Sequence, residues 1–97
     1  MKREEVTRIL EAQRYHLRRD YGVQSLSLFG SVARDQATAQ SDIDLLVEFN
    51  QPVGFFGLLA LQDYLEKLFS CPVDLGTPDG LKGRMKAKVL AEQIHVI

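Results

Sequence analysis

A chain of 97 residues, 45% hydrophobic and 26% charged, fits one compact domain spanning 1–97 and leaves no room for a second. Twelve Lys and Arg against 13 Asp and Glu give a net charge of -1, which excludes a broad basic field for nucleic acid or acidic membrane, so any phosphate recognition must be local. The single cysteine, Cys71, excludes an internal disulfide; the charged stretch Met1 to Arg8 and the lack of an apolar run near the roughly 20 residues of a membrane span point to a reducing cytoplasm.

From about Glu4, the residues Val6, Ile9, Leu10, Leu17 and Tyr21 recur on one stripe at helical spacing, and Gly22 stands where a left-handed C-terminal cap belongs. One amphipathic opening helix is expected, with Arg3, Arg8, Arg14, Arg18 and Arg19 interleaved with Glu4, Glu5, Glu11 and Asp20 on a solvated face. Gln24 to Phe29 alternates Ser25 and Ser27 with Leu26 and Leu28, the period of a strand, and Gly30 ends it. Ser31 to about Gln36 reads as a short helix and Thr38 to Ser41 as a polar loop. Asp42 to Phe49, rich in Ile, Leu, Val and Phe, reads as a largely buried central strand.

Beyond Pro52 and Gly54, the residues Phe55, Leu58, Leu61, Leu65, Leu68 and Phe69 fall on one face of a second helix. Phe56 and Leu59 lie beside that stripe, as core periphery or as part of a partner-binding surface. Pro72 to Leu75 forms a short strand with Asp74 on the face opposite Val73 and Leu75, and Thr77 to Gly80 is a turn. Leu81 to Gln93 favours helix, with Lys82, Arg84, Lys86 and Lys88 on a solvated face, and Ile94 to Ile97 closes as a short edge strand. The order implies an α/β domain in which helices pack against a mixed sheet of three to four strands.

Side chains at i and i+2 of a strand project on the same side, so Asp42 and Asp44 present two carboxylates with Cα atoms about 6.6 Å apart. Such oxygens suit a hard divalent cation, and a carboxylate pair can bridge two Mg²⁺ ions. The Gly30-Ser31 turn joins a strand end to a helix start, where free backbone N–H groups and a serine hydroxyl can hold nucleotide phosphates. Asp74 is a candidate third carboxylate; Glu48 shares the strand parity of Asp42 and Asp44 but lies farther along. Two neighbours keep two readings each: Ser41 braces the turn into the strand or contacts nucleotide, and Arg34 binds phosphate or pairs with Asp35 or Asp20 on the surface. His16 and His95 have no partners at triad or metal spacing, and Cys71 reads as a packed helix-end residue.

Gly30-Ser31-Val32-Ala33-Arg34 followed by Ser41-Asp42-Ile43-Asp44-Leu45-Leu46-Val47 resembles the signature of the nucleotidyltransferase superfamily that includes DNA polymerase beta, and most of all its minimal nucleotidyltransferase branch. The resemblance spans nearly the whole chain and implies the small nucleotidyltransferase fold. It implies that Asp42 and Asp44 are the metal-binding pair, that Asp74 is the third acidic residue that helps hold the catalytic metal and activate the attacking hydroxyl, and that Gly30 and Ser31 hold the triphosphate. The implied reaction is in-line attack by a hydroxyl on the α-phosphate of ATP or another nucleotide, with Mg²⁺ as cofactor and pyrophosphate leaving. Members of this branch commonly act as antitoxins that transfer AMP to a tyrosine of a helical HEPN ribonuclease toxin. A hetero-oligomer with such a toxin is therefore implied, and 97 residues with no acceptor-binding domain agree with an acceptor on another protein. Two other functions compete: a non-catalytic antitoxin that neutralises its partner by occlusion, and a nucleotidyltransferase acting on a small molecule of the aminoglycoside type.

Overall fold

The computed structural model describes residues 1–97, and its opening stripe of apolar residues forms two helices: α1, Arg3–Ala12, and α2, Arg14–Tyr21. Val6, Leu10 and Leu17 are all buried as their spacing requires, but the helix breaks at Gln13. A tertiary contact lies at the break. The Gln13 side chain accepts a 2.7 Å hydrogen bond from the Tyr64 hydroxyl across the core boundary, and a chain that turns there lets both halves follow the sheet. Tyr21 and His16 stack against Tyr64 at the same place, with ring centroids 5.1 Å from it. Gly22 takes the left-handed C-cap, φ 67°.

Strand β1, Val23–Phe29, runs antiparallel to β2, Ile43–Phe49, with Leu26 opposite Val47, Leu28 opposite Leu45 and Phe29 opposite Asp44. Between them lies α3, Gly30–Ala33, a single turn shorter than the helix its sequence suggests. Asp35 ends it with a positive φ, after which the chain loops through Thr38 to Ser41. Helix α4, Gly54–Phe69, then crosses to β3, Val73–Gly76, which pairs parallel with β2. Parallel neighbours need such a crossover. A 3₁₀ turn at Pro78–Gly80 leads into α5, Gly83–Glu92, and β4, Ile94–His95, pairs antiparallel with β1. The sheet order is β3-β2-β1-β4, so both long strands are interior.

One face of the sheet carries the core: Leu26, Leu28, Ile43, Leu45, Val47 and Val73 meet Val6, Leu10 and Leu17 from the first two helices and Leu61, Leu65 and Phe69 from α4. The spacing of Leu61, Leu65 and Phe69 decides how α4 sits. Phe55, in the first turn of α4 and ahead of these three, is 69% exposed rather than part of the core stripe. Phe56 is 85% exposed beside it. Two further α4 side chains hold the outer edge of β3: Gln62 donates to the Val73 carbonyl at 2.9 Å, and the Val73 N–H donates to Glu66 at 3.0 Å. An edge strand with its free backbone groups capped in this way is a poor template for further strand pairing.

Candidate active site

The site forms at one end of the sheet, where β1 ends and β2 and β3 begin. Parallel pairing puts Asp44 beside Asp74. Neighbouring strands lie about 4.8 Å apart, so two carboxylates on the face opposite the main core are brought next to each other by register alone. Asp42 stands one residue ahead of β2, where Ile43 N–H donates to the Pro72 carbonyl and ties the starts of β2 and β3 together. Asp44 is half-buried, while Asp42 and Asp74 are exposed.

The electrostatics follow from that crowding. Burial, then the nearby Asp74 and Asp42 carboxylates, push the Asp44 carboxyl up from 3.8 to about 6, with Arg34 pulling the other way and Glu92 adding to the rise. Like charges held together in this manner are a mark of functional sites, because the fold is better served by neutral groups there. No three His, Cys, Asp or Glu side chains converge into a ready-made metal cage. Magnesium does not require one, since it keeps several waters and binds through one or two carboxylates plus substrate phosphates. The donor set, all hard oxygen with an excess of negative charge, fits that ion.

Gly30 sits at the β1–α3 junction, opposite this cluster. Its φ is 72°, and a β-carbon there would collide with the Asp44 Oδ2. Only glycine allows both the left-handed turn and the close approach of backbone to carboxylate. Ser31 follows, half-buried, in the single turn of α3. Four residues build almost no macrodipole, so whatever anion affinity this turn has comes from its local N–H groups.

Arg34 pairs with neither Asp35 nor Asp20. Its Nη1 lies 3.2 Å from each carboxylate oxygen of Glu92, and its Nε donates to Gln36. Asp35 instead accepts from the Arg3 backbone, and Asp20 is taken by His16 at 2.7 Å and by Arg19. Ser41 serves as the brace of its loop, its Oγ accepting a 2.8 Å hydrogen bond from the Thr38 N–H. Glu48 lies at the far end of β2, beside a cavity of about 640 Å³ that holds none of the three aspartates. The residue missed from sequence is Glu92. At the end of α5 and 62 positions from Gly30, it accepts a 3.1 Å hydrogen bond from the Gly30 N–H as well as holding Arg34.

With this geometry in view, the chain's likenesses take on meaning. Residues 10–95 match the nucleotidyltransferase domain family. The protein adenylyltransferase MntA of Thermococcus cleftensis is 37% identical over 96% of this chain and 94% of its own length. A solved minimal nucleotidyltransferase is 35% identical, with a TM-score of 0.76 over 97% of this chain and 95% of that one. A chain from a toxin–antitoxin crystal structure that includes MntA is 25% identical, with a TM-score of 0.69 over 90% of this chain and 71% of that one. The mixed sheet matches that of a solved minimal nucleotidyltransferase, and the chain belongs to the nucleotidyltransferase domain family.

Proposed function

We propose that this chain is a protein adenylyltransferase that moves AMP from ATP to a hydroxyl of a partner toxin and so acts as its antitoxin. The observation that carries the reading is the register that sets Asp44 beside Asp74, with Gly30 packed against Asp44. The likeness to a relative described as a protein adenylyltransferase over 94% of that relative's length supports AMP as the group moved and a protein as its acceptor. A toxin partner is supported by the toxin–antitoxin complex among the solved structures. The resemblance to the minimal nucleotidyltransferase branch, whose members commonly act on a helical HEPN ribonuclease, supports such a toxin as that partner. One domain spanning 1–97, with a free thiol at Cys71, suits a reducing cytoplasm.

In the transfer, the acceptor oxygen forms a bond to the α-phosphorus as the bond to pyrophosphate breaks, and the hydroxyl proton must leave. Asp74, exposed at the open edge of the cluster, is the carboxylate best placed to take it. Asp42, Asp44 and Asp74 would hold Mg²⁺, which when bound offsets the phosphate charge and draws off charge developing on the leaving pyrophosphate. Gly30 and Ser31 present backbone and hydroxyl donors to the outer phosphates, and Arg34 lies within one helical turn of them. Ser41 fixes the loop that delivers Asp42 to the site.

The test is direct. The pure protein, ATP, Mg²⁺ and the candidate toxin should yield toxin carrying the mass of AMP, and Asp42→Asn with Asp44→Asn should abolish that gain while circular dichroism stays unchanged. A double variant that still neutralises the toxin at equal expression would sink the catalytic reading in favour of occlusion.

A further inference from the structure

Glu92 is an anion already seated on the glycine turn. Its Oε1 accepts from the Gly30 N–H at 3.1 Å, and both of its oxygens lie 3.2 Å from Arg34 Nη1, so one carboxylate satisfies a backbone donor and a guanidinium together. A phosphate can take the same two donors, with both of its oxygens sharing the one guanidinium nitrogen as the carboxylate does here. The group is not a casual surface contact: its side chain is 22% exposed, it comes from the last residue of α5, and it reaches 62 residues back along the chain. It also stands among like charges, since its field reaches the half-buried Asp44. A carboxylate held near the Asp44 carboxyl is retained by its two donors, not by that neighbour.

Resting on the reading that this turn takes nucleotide phosphate, we propose that Glu92 is an internal stand-in for that phosphate, displaced from Gly30 and Arg34 when a nucleoside triphosphate enters. The charge balance favours the exchange. With Glu92 in place, Arg34 is paired and the Gly30 donor is occupied, so an incoming triphosphate must displace that carboxylate to reach either group. With Glu92 swung away, the arginine and the backbone N–H pass to the ligand and one repelling charge leaves the site. Glu92 lies at the C-terminal end of its helix, next to the two-residue strand β4, so its side chain can withdraw without moving the sheet. The consequence is selectivity. A ligand must bring enough negative charge to outcompete an internal carboxylate, which a triphosphate does and a nucleoside does not.

Glu92→Gln tests this, because the amide keeps an oxygen for the Gly30 N–H and removes the charge that holds Arg34. Equilibrium binding of ATP, inorganic tripolyphosphate and adenosine is measured with Mg²⁺ and without any acceptor. Glu92→Gln should bind ATP and tripolyphosphate about three- to tenfold more tightly, the strength of one charge-assisted contact freed for the ligand, and adenosine no differently. In an Arg34→Gln background the same change should give little or no gain. ATP affinity unchanged or weakened by Glu92→Gln in a protein with wild-type melting behaviour would overturn the proposal and make Glu92 a fixed support of the turn. Failure of ATP and tripolyphosphate to bind to any variant would overturn the phosphate-turn reading as well, so the two failures are distinguishable.

Discussion

Gly30→Ala separates what the fold needs at the turn from what the chemistry needs. The backbone there has φ 72°, and placing an alanine in the left-handed region costs about 1–2 kcal/mol. The loss is partly offset, by about 0.4–1 kcal/mol, because alanine narrows the unfolded ensemble. The new methyl also meets Asp44 Oδ2, the far end of a side chain that can rotate, and an off-rotamer carboxylate adds about 0.5–1.5 kcal/mol. The sum is about 0.5–3 kcal/mol, or a fall in Tm of roughly 2–25 °C for a domain of this size. The effect on transfer should be far larger than that modest cost implies. The collision is relieved by moving the carboxylate that must stay beside Asp74, and displacement of a reacting group by about 1 Å can cost on the order of a hundredfold in rate. Urea and thermal unfolding give the first quantity, and AMP transfer to the toxin under saturating ATP gives the second. A Gly30→Ala protein that loses the expected stability yet transfers AMP within threefold of wild type would refute the geometric argument.

Asp44→Asn should stabilise the free protein at pH 8. The Asp44 carboxyl is raised to about 6 in the folded state, so the folded protein holds its proton more firmly than the unfolded chain does. Its favourable contribution is complete below about pH 4 and is lost as pH rises through 6. The rise from 3.8 corresponds to about 3 kcal/mol before screening, and for a half-exposed group about 1 kcal/mol is expected. Thermal melts from pH 4 to 8 should show the Asn variant ahead at pH 8 and the gap closing on acidification; a variant less stable at pH 8 contradicts it. Glu66→Ala should free the Val73 N–H, speed its hydrogen exchange and lower transfer several-fold through the adjacent Asp74, at a cost of about 1 kcal/mol. Unchanged exchange at Val73 would show that the edge is held by its pairing with β2 alone.

Most of the fold is written in short-range pattern. Leu26 and Leu28 in the alternation of β1, Ile43, Leu45 and Val47 in β2, and Leu61, Leu65 and Phe69 at helical spacing each report a buried face, and each is buried, although Ser27 on the other face of β1 is buried too. That Asp44 and Asp74 both leave the core face was legible for the same reason, since each alternates with core residues on its strand, but their pairing was not. What periodicity cannot carry is a single tertiary contact. The break at Gln13 lies at a contact with Tyr64, 51 residues away, and the opening stripe reads the same with or without it. Phe55 is as apolar as a core residue, yet α4 begins there, ahead of the part that the sheet covers at Leu61, Leu65 and Phe69. Glu92 is one acidic residue at a helix end, and nothing local distinguishes it from Glu66 or Asp63. Its role emerges only when β4 folds back onto β1 and carries the end of α5 to Gly30.

That return of the chain sets when the site comes into being. Gly30, Asp42 and Asp44 are close in sequence and can meet as soon as β1 and β2 pair, but Asp74 requires the α4 crossover, and the closing contacts of β4 and Glu92 engage β1 from the far end of the chain. Long-range pairings of this kind form late, since their loop entropy must be overcome first. During synthesis, a nascent chain that has not yet released residues 92–97 from the ribosome has β1 as an open edge and a glycine turn without its internal anion. A copy in which residues 92–97 have yet to engage therefore presents a different surface to nucleotide from the folded one.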